Sequence, residues 1–325
     1  ILYAGSLKVR ITDWLIFKDK ADISFLGLED AVVKLQRKDS AWNYQFIVNH
    51  FSSPTKKTKQ PSTNKNDLTI NIKKVDLKNI SFLENDLWRG EKMVGRIGSL
   101  ALDAEQINTT TNTFNINSLI IDNPYFALYD FKGLRPDSLK PKPTIDTGLL
   151  LNPSNMLVSL KQLSITNGTF TNSADNNKPV KHFDDAHILF SNINATFNNL
   201  HLTKDTLRAE MNLATKERSG LEIKKFDAHV KITPQIMEFA KLNLQTNKSH
   251  LRNYYAMKFH HFNDDFAEYV TNVVMNAFFK DAKVSSDDIA FFAPELKDWK
   301  KEIILSGNFN GTVSNFNIKN LFASA

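Results

Sequence analysis

One apolar pattern recurs in this chain at a fixed interval of 44 residues, and it constrains the fold more than any other feature. Each copy reads apolar-x-apolar-x-x-apolar-x-apolar-x-Asn-x-x-Phe, and the copies span 70–82, 114–126 and 158–170. Looser copies of the central part begin at Ile23, Ile97, Phe197, Phe239 and Val313. Six matching positions in three copies indicate a repeated structural unit that runs nearly from end to end.

The spacing inside each copy is that of a β-strand. Residues two apart share one face of a strand, so Leu119 and Ile121 lie on one face and Ile120 on the other. The extra residue after Ile116 fits a bulge, and Asn123 is a turn former. At about 12 residues per strand and turn, we predict a mainly β fold of roughly 20 short strands in one long curved antiparallel sheet.

Two segments interrupt the repeat. The segment 52–67 has several lysines and no large apolar residue, so we expect a mobile basic loop. The segment 132–147 is punctuated by prolines, so we expect an extended linker. This linker divides the chain into a first β-repeat region, 1–131, and a second, 148–325.

Two amphipathic helices are predicted in the second region, over 264–280 and near 286–293. Apolar residues from Phe266 to Phe278 follow the 3.6-residue period, and Asn263 can cap the first helix. We expect both helices to cover one face of the sheet. A membrane-surface role is the weaker alternative, because the polar face of the first helix carries a single lysine.

The sequence offers little catalytic chemistry. It contains no cysteine, which excludes thiol nucleophiles and cysteine-ligated metals, and no phosphate-binding loop, dinucleotide fingerprint or nucleophile elbow. The groups closest to a site are His182–His187 with its two aspartates, His260 with His261, and the pair Asp287 and Asp288. We interpret them as turns and helix starts, so we expect no enzyme, catalytic residue, metal or cofactor. A net charge of +6 is too small and dispersed to indicate nucleic acid.

A sheet that is apolar on one face must bury that face against a second sheet, helices or a non-protein partner. Curled around the apolar face, it forms a trough for acyl chains, which gain about 0.8 kcal/mol per buried methylene. The residues expected to line it are Leu26, Leu28, Val75, Leu77, Phe82, Leu100, Leu102, Leu119, Ile121, Phe126, Leu163, Ile165 and Phe170. Which of the two strand faces lines the trough stays open, because Phe114 and Ile120 give the opposite face some apolar character.

Two other functions are compatible with such a scaffold. A chaperone could use exposed strand edges to template outer-membrane barrels by strand addition. A carbohydrate-active enzyme would need carboxylates clustered on one sheet face, whereas Asp and Glu are scattered here.

The order of several motifs along the chain resembles the TamB-like proteins of the AsmA superfamily in Bacteroidetes. These motifs are L-Y-A-G-S-L-K-V-R-I-T-D-W at 2–14, I-S-F-L-G-L-E-D-A-V-V-K-L-Q-R at 23–37, W-N-Y-Q-F at 42–46, I-N-S-L-I-I-D-N-P-Y-F-A-L-Y at 116–129, E-R-S-G-L at 217–221, L-x-T-x-x-S-x-L at 244–251 and D-I-A-F-F-A-P-E-L at 288–296. The resemblance covers essentially the whole chain.

The resemblance implies a β-taco trough in a long periplasmic protein that an N-terminal helix outside this fragment anchors in the inner membrane. Family members are associated with phospholipid transport and with outer-membrane protein assembly. The fragment would come from the N-terminal half. The partners implied are phospholipid acyl chains and a barrel-type assembly factor, the latter contacted through a part of the protein outside this fragment.

Overall fold

The computed structural model describes residues 2–11, 20–39, 41–46, 69–108, 110–140, 149–175 and 178–324. Within these ranges the chain is mainly β and forms one long curved sheet of 18 strands with three short α-helices. The predicted fold class is therefore confirmed. The basic loop predicted at 52–67 lies outside the described residues.

The strands follow one another along the chain. They are β1 (Leu2–Tyr3), β2 (Ser6–Ile11), β3 (Lys20–Glu29), β4 (Val32–Arg37), β5 (Thr69–Ile72), β6 (Lys74–Asp86), β7 (Glu91–Asn108), β8 (Thr113–Asp122), β9 (Tyr125–Asp130), β10 (Leu157–Ala174), β11 (His187–Thr203), β12 (Thr206–Glu217), β13 (Glu222–Thr233), β14 (Ile236–Gln245), β15 (His250–Lys258), β16 (Val274–Ser285), β17 (Glu302–Gly311) and β18 (Phe316–Ser324). The helices are α1 (Phe262–Ala267), α2 (Tyr269–Asn272) and α3 (Ser286–Ile289), with 3-10 turns at Asp137–Leu139 and Pro294–Leu296.

Several long strands are divided by a bend. The pairs β1 and β2, β3 and β4, β5 and β6, and β8 and β9 each continue end to end, so the 18 strands occupy 14 positions across the sheet. At about 4.8 Å per strand, the sheet is about 62 Å wide. Two of these breaks fall at Asx residues of the repeat, Asp30 between β3 and β4 and Asn123 between β8 and β9. Asn79 in β6 and Asn167 in β10 lie beside them in the neighbouring parallel strands, and all four residues have positive φ near 50°.

Neighbouring strands follow chain order and are antiparallel, with two exceptions. The strands β3 and β4 lie parallel to β5 and β6, and β8 and β9 lie parallel to β10. A parallel neighbour requires the chain to return to the same end of the sheet, so a long connection is needed. Those connections are 38–68 and 131–156, which contain the two segments that interrupt the sequence repeat.

The two predicted β-repeat regions share this one sheet. Their junction is the parallel pairing of β10 with β8, in which Leu163 lies opposite Leu119, at the repeat interval of 44 residues. The segment between them is only partly described. Its first part folds back on the β6–β7 turn, where the N–H groups of Leu134 and Arg135 donate to the carbonyls of Leu87 and Trp88 at 2.9 Å. Residues 141–147 lie outside the described ranges.

The helix predicted over 264–280 is wrong in its second half. Helices α1 and α2 end at Asn272, and from Val274 onward the chain is strand β16. Met275 and Ala277 alternate on β16 and lie opposite Met257 and Tyr255 of β15. Apolar residues four apart satisfy the strand period as well as the helical one, and the sheet ladder decides between them.

The start of α1 also differs from the expectation. Asn263 lies inside the helix, and the helix start is held by Asp265, whose Oδ2 accepts the N–H groups of His260 at 2.6 Å and His261 at 3.0 Å. The helix expected near 286–293 begins where predicted, after Ser285, whose side chain accepts the N–H of Asp287. It is shorter than expected, because α3 ends at Ile289 and a turn follows.

The described part of the chain has a sparse core. Eight of its fourteen buried apolar residues are alanine, and Phe259 is the one aromatic residue among them. A second protein layer would bury large side chains from both layers, as in a sandwich. The sheet is therefore largely uncovered over the described ranges. None of the described helices is long and apolar enough to cross a membrane.

Candidate functional site

Strand register aligns apolar residues into two long rows on one face of the sheet, because directly opposed residues share a face. Row 1 crosses eleven strands through Leu7, Leu28, Leu77, Leu100, Ile121, Ile165, Ala195, Leu213, Phe226, Leu244 and Leu251. Row 2 crosses nine strands through Val9, Leu26, Val75, Leu102, Leu119, Leu163, Phe197, Met211 and Ala228. We call the side that carries both rows the apolar face.

Nearly every side chain of the two rows keeps some contact with solvent. Only the alanines Ala195 and Ala228 are buried, and the other members are partly or largely exposed. Within the described part of the chain, an apolar strip about 48 Å long, at about 4.8 Å per strand, is therefore left without a covering layer. Extended apolar surfaces of this kind mark sites for partners or apolar ligands.

The opposite face is polar. In each strand, the residue next to the row 1 residue in the sequence points to this opposite face. These residues also lie opposite one another and form a third row: Lys8, Gly27, Asp76, Ala101, Ile120, Ser164, Thr196, Asn212, Asp227, Asn243 and Arg252. Asn117 donates to Asp103 Oδ1 at 3.0 Å on this face, and that bond holds the pKa of Asp103 below its usual value. Hydrogen-bonded amides and carboxylates of this kind suit a surface that faces water.

A row of phenylalanines continues the apolar face beyond the bend. Phe82 and Phe126 both lie opposite Gly95, and Phe126 lies opposite Phe170, with its ring centroid 6.2 Å from that of Phe170. A Cβ on Gly168 would lie 3.3 Å from Ile165 Cγ2, so position 168 points to the side of row 1. Phe170, two residues further along the strand, points to the same side.

The structure therefore brings all thirteen predicted lining residues onto one face. Ten lie in rows 1 and 2, and Phe82, Phe126 and Phe170 form the phenylalanine row. Phe114, which was expected on the opposite face, also lies on the apolar face. It lies opposite Val158, which lies opposite Leu202, which in turn lies opposite Leu207 on the apolar side of β12. Ile120 remains on the polar face and is 50% exposed.

Sequence reasoning missed the later part of the rows, from β11 onward. Met211 and Leu213 on β12 and Phe226 on β13 carry rows 1 and 2 across the second region. The signal was present as strict alternation of apolar and polar residues over 207–213, but it lacks the Asn and Phe of the repeat.

The polar clusters noted in the sequence lie at a turn before β11 and at the starts of α1 and α3. Asp184 Oδ1 and Oδ2 accept the N–H groups of Ala186 and Val180, and Oδ2 also lies 3.1 Å from His187 Nδ1. The bond from Val180 contributes most to lowering the pKa of Asp184. Among the described residues, no group of three or more His, Asp and Glu side chains is placed to hold a metal.

Loops from distant strands meet at one end of the second region and form what we call the end cap, made of 178–187, 218–221, 246–249 and 286–301. The N–H of Phe183 donates to the carbonyl of Phe291 at 2.9 Å. Asp288 Oδ2 accepts the N–H groups of Lys248 at 3.0 Å and Ser249 at 2.7 Å. These bonds connect β11 to β16 across the ends of the intervening strands.

At the opposite end of these strands, α1 and α2 pack on the apolar face. The hydroxyls of Tyr255 on β15 and Tyr269 on α2 are 2.9 Å apart, and Phe259, Phe262 and Phe266 form an aromatic cluster beside them. The apolar face is thus bordered by the end cap at one end and by α1 and α2 at the other.

Comparison with known proteins gives no match to this chain among family models, curated proteins or solved structures.

Proposed function

We propose that this chain is a conduit that carries phospholipid acyl chains along its apolar face. The observation that supports this most directly is row 1, whose apolar side chains cross eleven strands and are not covered by a second layer of described residues. Acyl chains gain about 0.8 kcal/mol per buried methylene, and an unbroken row offers this gain at every step, so movement needs no catalytic residue.

The resemblance to TamB-like proteins supplies the biological setting of the proposal. In that setting the chain is a periplasmic part of an inner-membrane-anchored protein that carries phospholipid toward the outer membrane. A barrel-type assembly factor would be contacted elsewhere in that protein.

The neighbours Ile120 and Ile121 allow a matched test, since they are identical residues on opposite faces of β8. We expect Ile121→Asp to lower phospholipid bound to the purified protein several-fold, because it places a charge in row 1. Ile120→Asp places the same charge on the polar face and should leave lipid binding unchanged. Lipid is extracted and quantified by mass spectrometry, and circular dichroism reports whether each variant keeps its sheet.

The milder variant Ile121→Asn serves if Ile121→Asp does not fold. Equal lipid content in both position 121 variants and the unchanged protein would contradict the conduit. A lipid-free protein with an intact sheet would contradict it as well.

A further inference from the structure

The end cap lines an open cavity of about 570 Å³ whose wall contains no residue of rows 1 and 2. Its wall brings together Lys181 and His182 from the β10–β11 connection, and Lys297 and Lys300 from the segment after α3. Ser219 on the β12–β13 turn also lines it, and Phe291 forms an apolar side. Three connections far apart in sequence thus converge on one basic cavity.

One polar atom of the cavity lining lacks a hydrogen-bond partner in the described structure. Ser219 Oγ is buried and has no hydrogen-bond partner in the described structure, although the N–H of Ser219 donates to Glu217 Oε2 at 2.6 Å. A buried hydroxyl without a partner is costly, and an acceptor atom of a ligand would satisfy it.

The charges of the cavity favour an anion. No ion pair with a described carboxylate involves Lys181, Lys297 or Lys300. The carboxylate that also lines the cavity, Asp287, is already paired with Lys248 Nζ. Ammonium groups and a hydroxyl donor together suit the oxygens of a phosphate group.

We propose that the end-cap cavity binds a phosphate group. The apolar side at Phe291 adds room for carbon next to the phosphate, so the phosphodiester of a phospholipid head group is the natural source, with free phosphate as the other. Assignment to a phospholipid rests on the proposed conduit function. Binding of a phosphate group as such does not.

The test uses isothermal titration calorimetry of the whole chain with dihexanoylphosphatidylglycerol below its micelle concentration, and separately with inorganic phosphate. Dihexanoylglycerol, which has the same chains and no phosphate, is the ligand control. We expect the double variant Lys297→Gln with Lys300→Gln to weaken phospholipid binding about tenfold or more. Ser219→Ala should weaken it by a smaller factor.

A matched variant, Lys92→Gln with Lys319→Gln, removes the same charge on exposed strand positions outside the end cap and should bind like the unchanged protein. Binding of both phosphate ligands with the expected losses supports a general phosphate site, and binding of the phospholipid alone supports a head-group site. The proposal is overturned if the Lys297→Gln, Lys300→Gln variant and the Lys92→Gln, Lys319→Gln variant bind the phospholipid with equal affinity. Since row 1 is intact in all of them, failure here leaves the Ile121 test of the conduit unaffected.

Discussion

Asn167 Nδ2 donates to Asn123 Oδ1 at 2.5 Å, joining two residues that lie one repeat apart in the sequence. Both have a left-handed backbone, with φ of 53° and 50°. Asn79 and Asp30 repeat this relationship at the earlier parallel junction, also at 2.5 Å. The bends of neighbouring parallel strands are therefore held in register by stacked side chains of left-handed Asx residues.

Replacing Asn167 should show how much this stacking contributes to stability. We expect Asn167→Ala to lower the free energy of unfolding by about 2 kcal/mol, from left-handed backbone strain and the lost hydrogen bond. Asn167→Gly removes the same bond without the strain and should cost about half as much. Urea unfolding measures both, with Asn198→Ala on β11 as a control at ordinary φ. Equal losses for alanine and glycine would contradict the role of backbone strain.

The repeat made much of the fold predictable because residues one repeat apart lie side by side in parallel strands. Leu119 and Leu163 match in sequence since they lie side by side in parallel strands, and the Asx residues match since each bend stacks on the next. The interrupting segments were also informative, because a parallel pairing needs a long return.

Other parts were not predictable from local pattern. The segment after Val274 has apolar spacing compatible with both a helix and a strand, and only pairing with β15 and β17 decides it. The end-cap cavity joins Lys181 to Lys297 through loop contacts with no repeat and no common period. Ten of the lining residues share a face by simple strand alternation, whereas Phe82, Phe126 and Phe170 lie beyond the left-handed residues, and their face depends on the bends.

The buried ion pair between Arg37 and Asp86 should make stability depend on acid pH. Asp86 is 1% exposed, and Arg37 donates to both of its carboxylate oxygens. Burial acts to raise the pKa of Asp86, but the bonds from Arg37 and the N–H of Arg89 outweigh it, and the pKa lies below its ordinary value.

Because the folded-state pKa is lowered, the stabilisation is complete above the unfolded pKa near 4 and is lost as pH falls further. Asp86→Asn should cost about 3 kcal/mol at pH 7, since it leaves Arg37 without its partner charge. It should also flatten the fall in stability below about pH 4. Urea unfolding from pH 2.5 to 7 tests both statements, and an unchanged acid slope in the variant would show that other carboxylates dominate.

The hydroxyl pair of Tyr255 and Tyr269 is expected to dock α2 on the sheet. Each single change to phenylalanine should cost about 1 kcal/mol, and the double change should cost less than the sum of the two because one bond is lost only once. Burial raises the pKa of Tyr255, so stability should also decline as pH rises above about 10. Additive losses in the cycle would indicate that the two hydroxyls do not interact.

Row 1 predicts that lipid contacts recur along the whole sheet. A photo-reactive phenylalanine analogue placed singly at Leu77, Ile121 or Phe226 should crosslink to phospholipid at all three positions, because row 1 joins them across seven strands from β6 to β13. The same analogue at Ser164, on the polar face, should crosslink several-fold less. Crosslinking at one row 1 position alone would indicate a local pocket, since a conduit requires every step of the row to bind acyl chains.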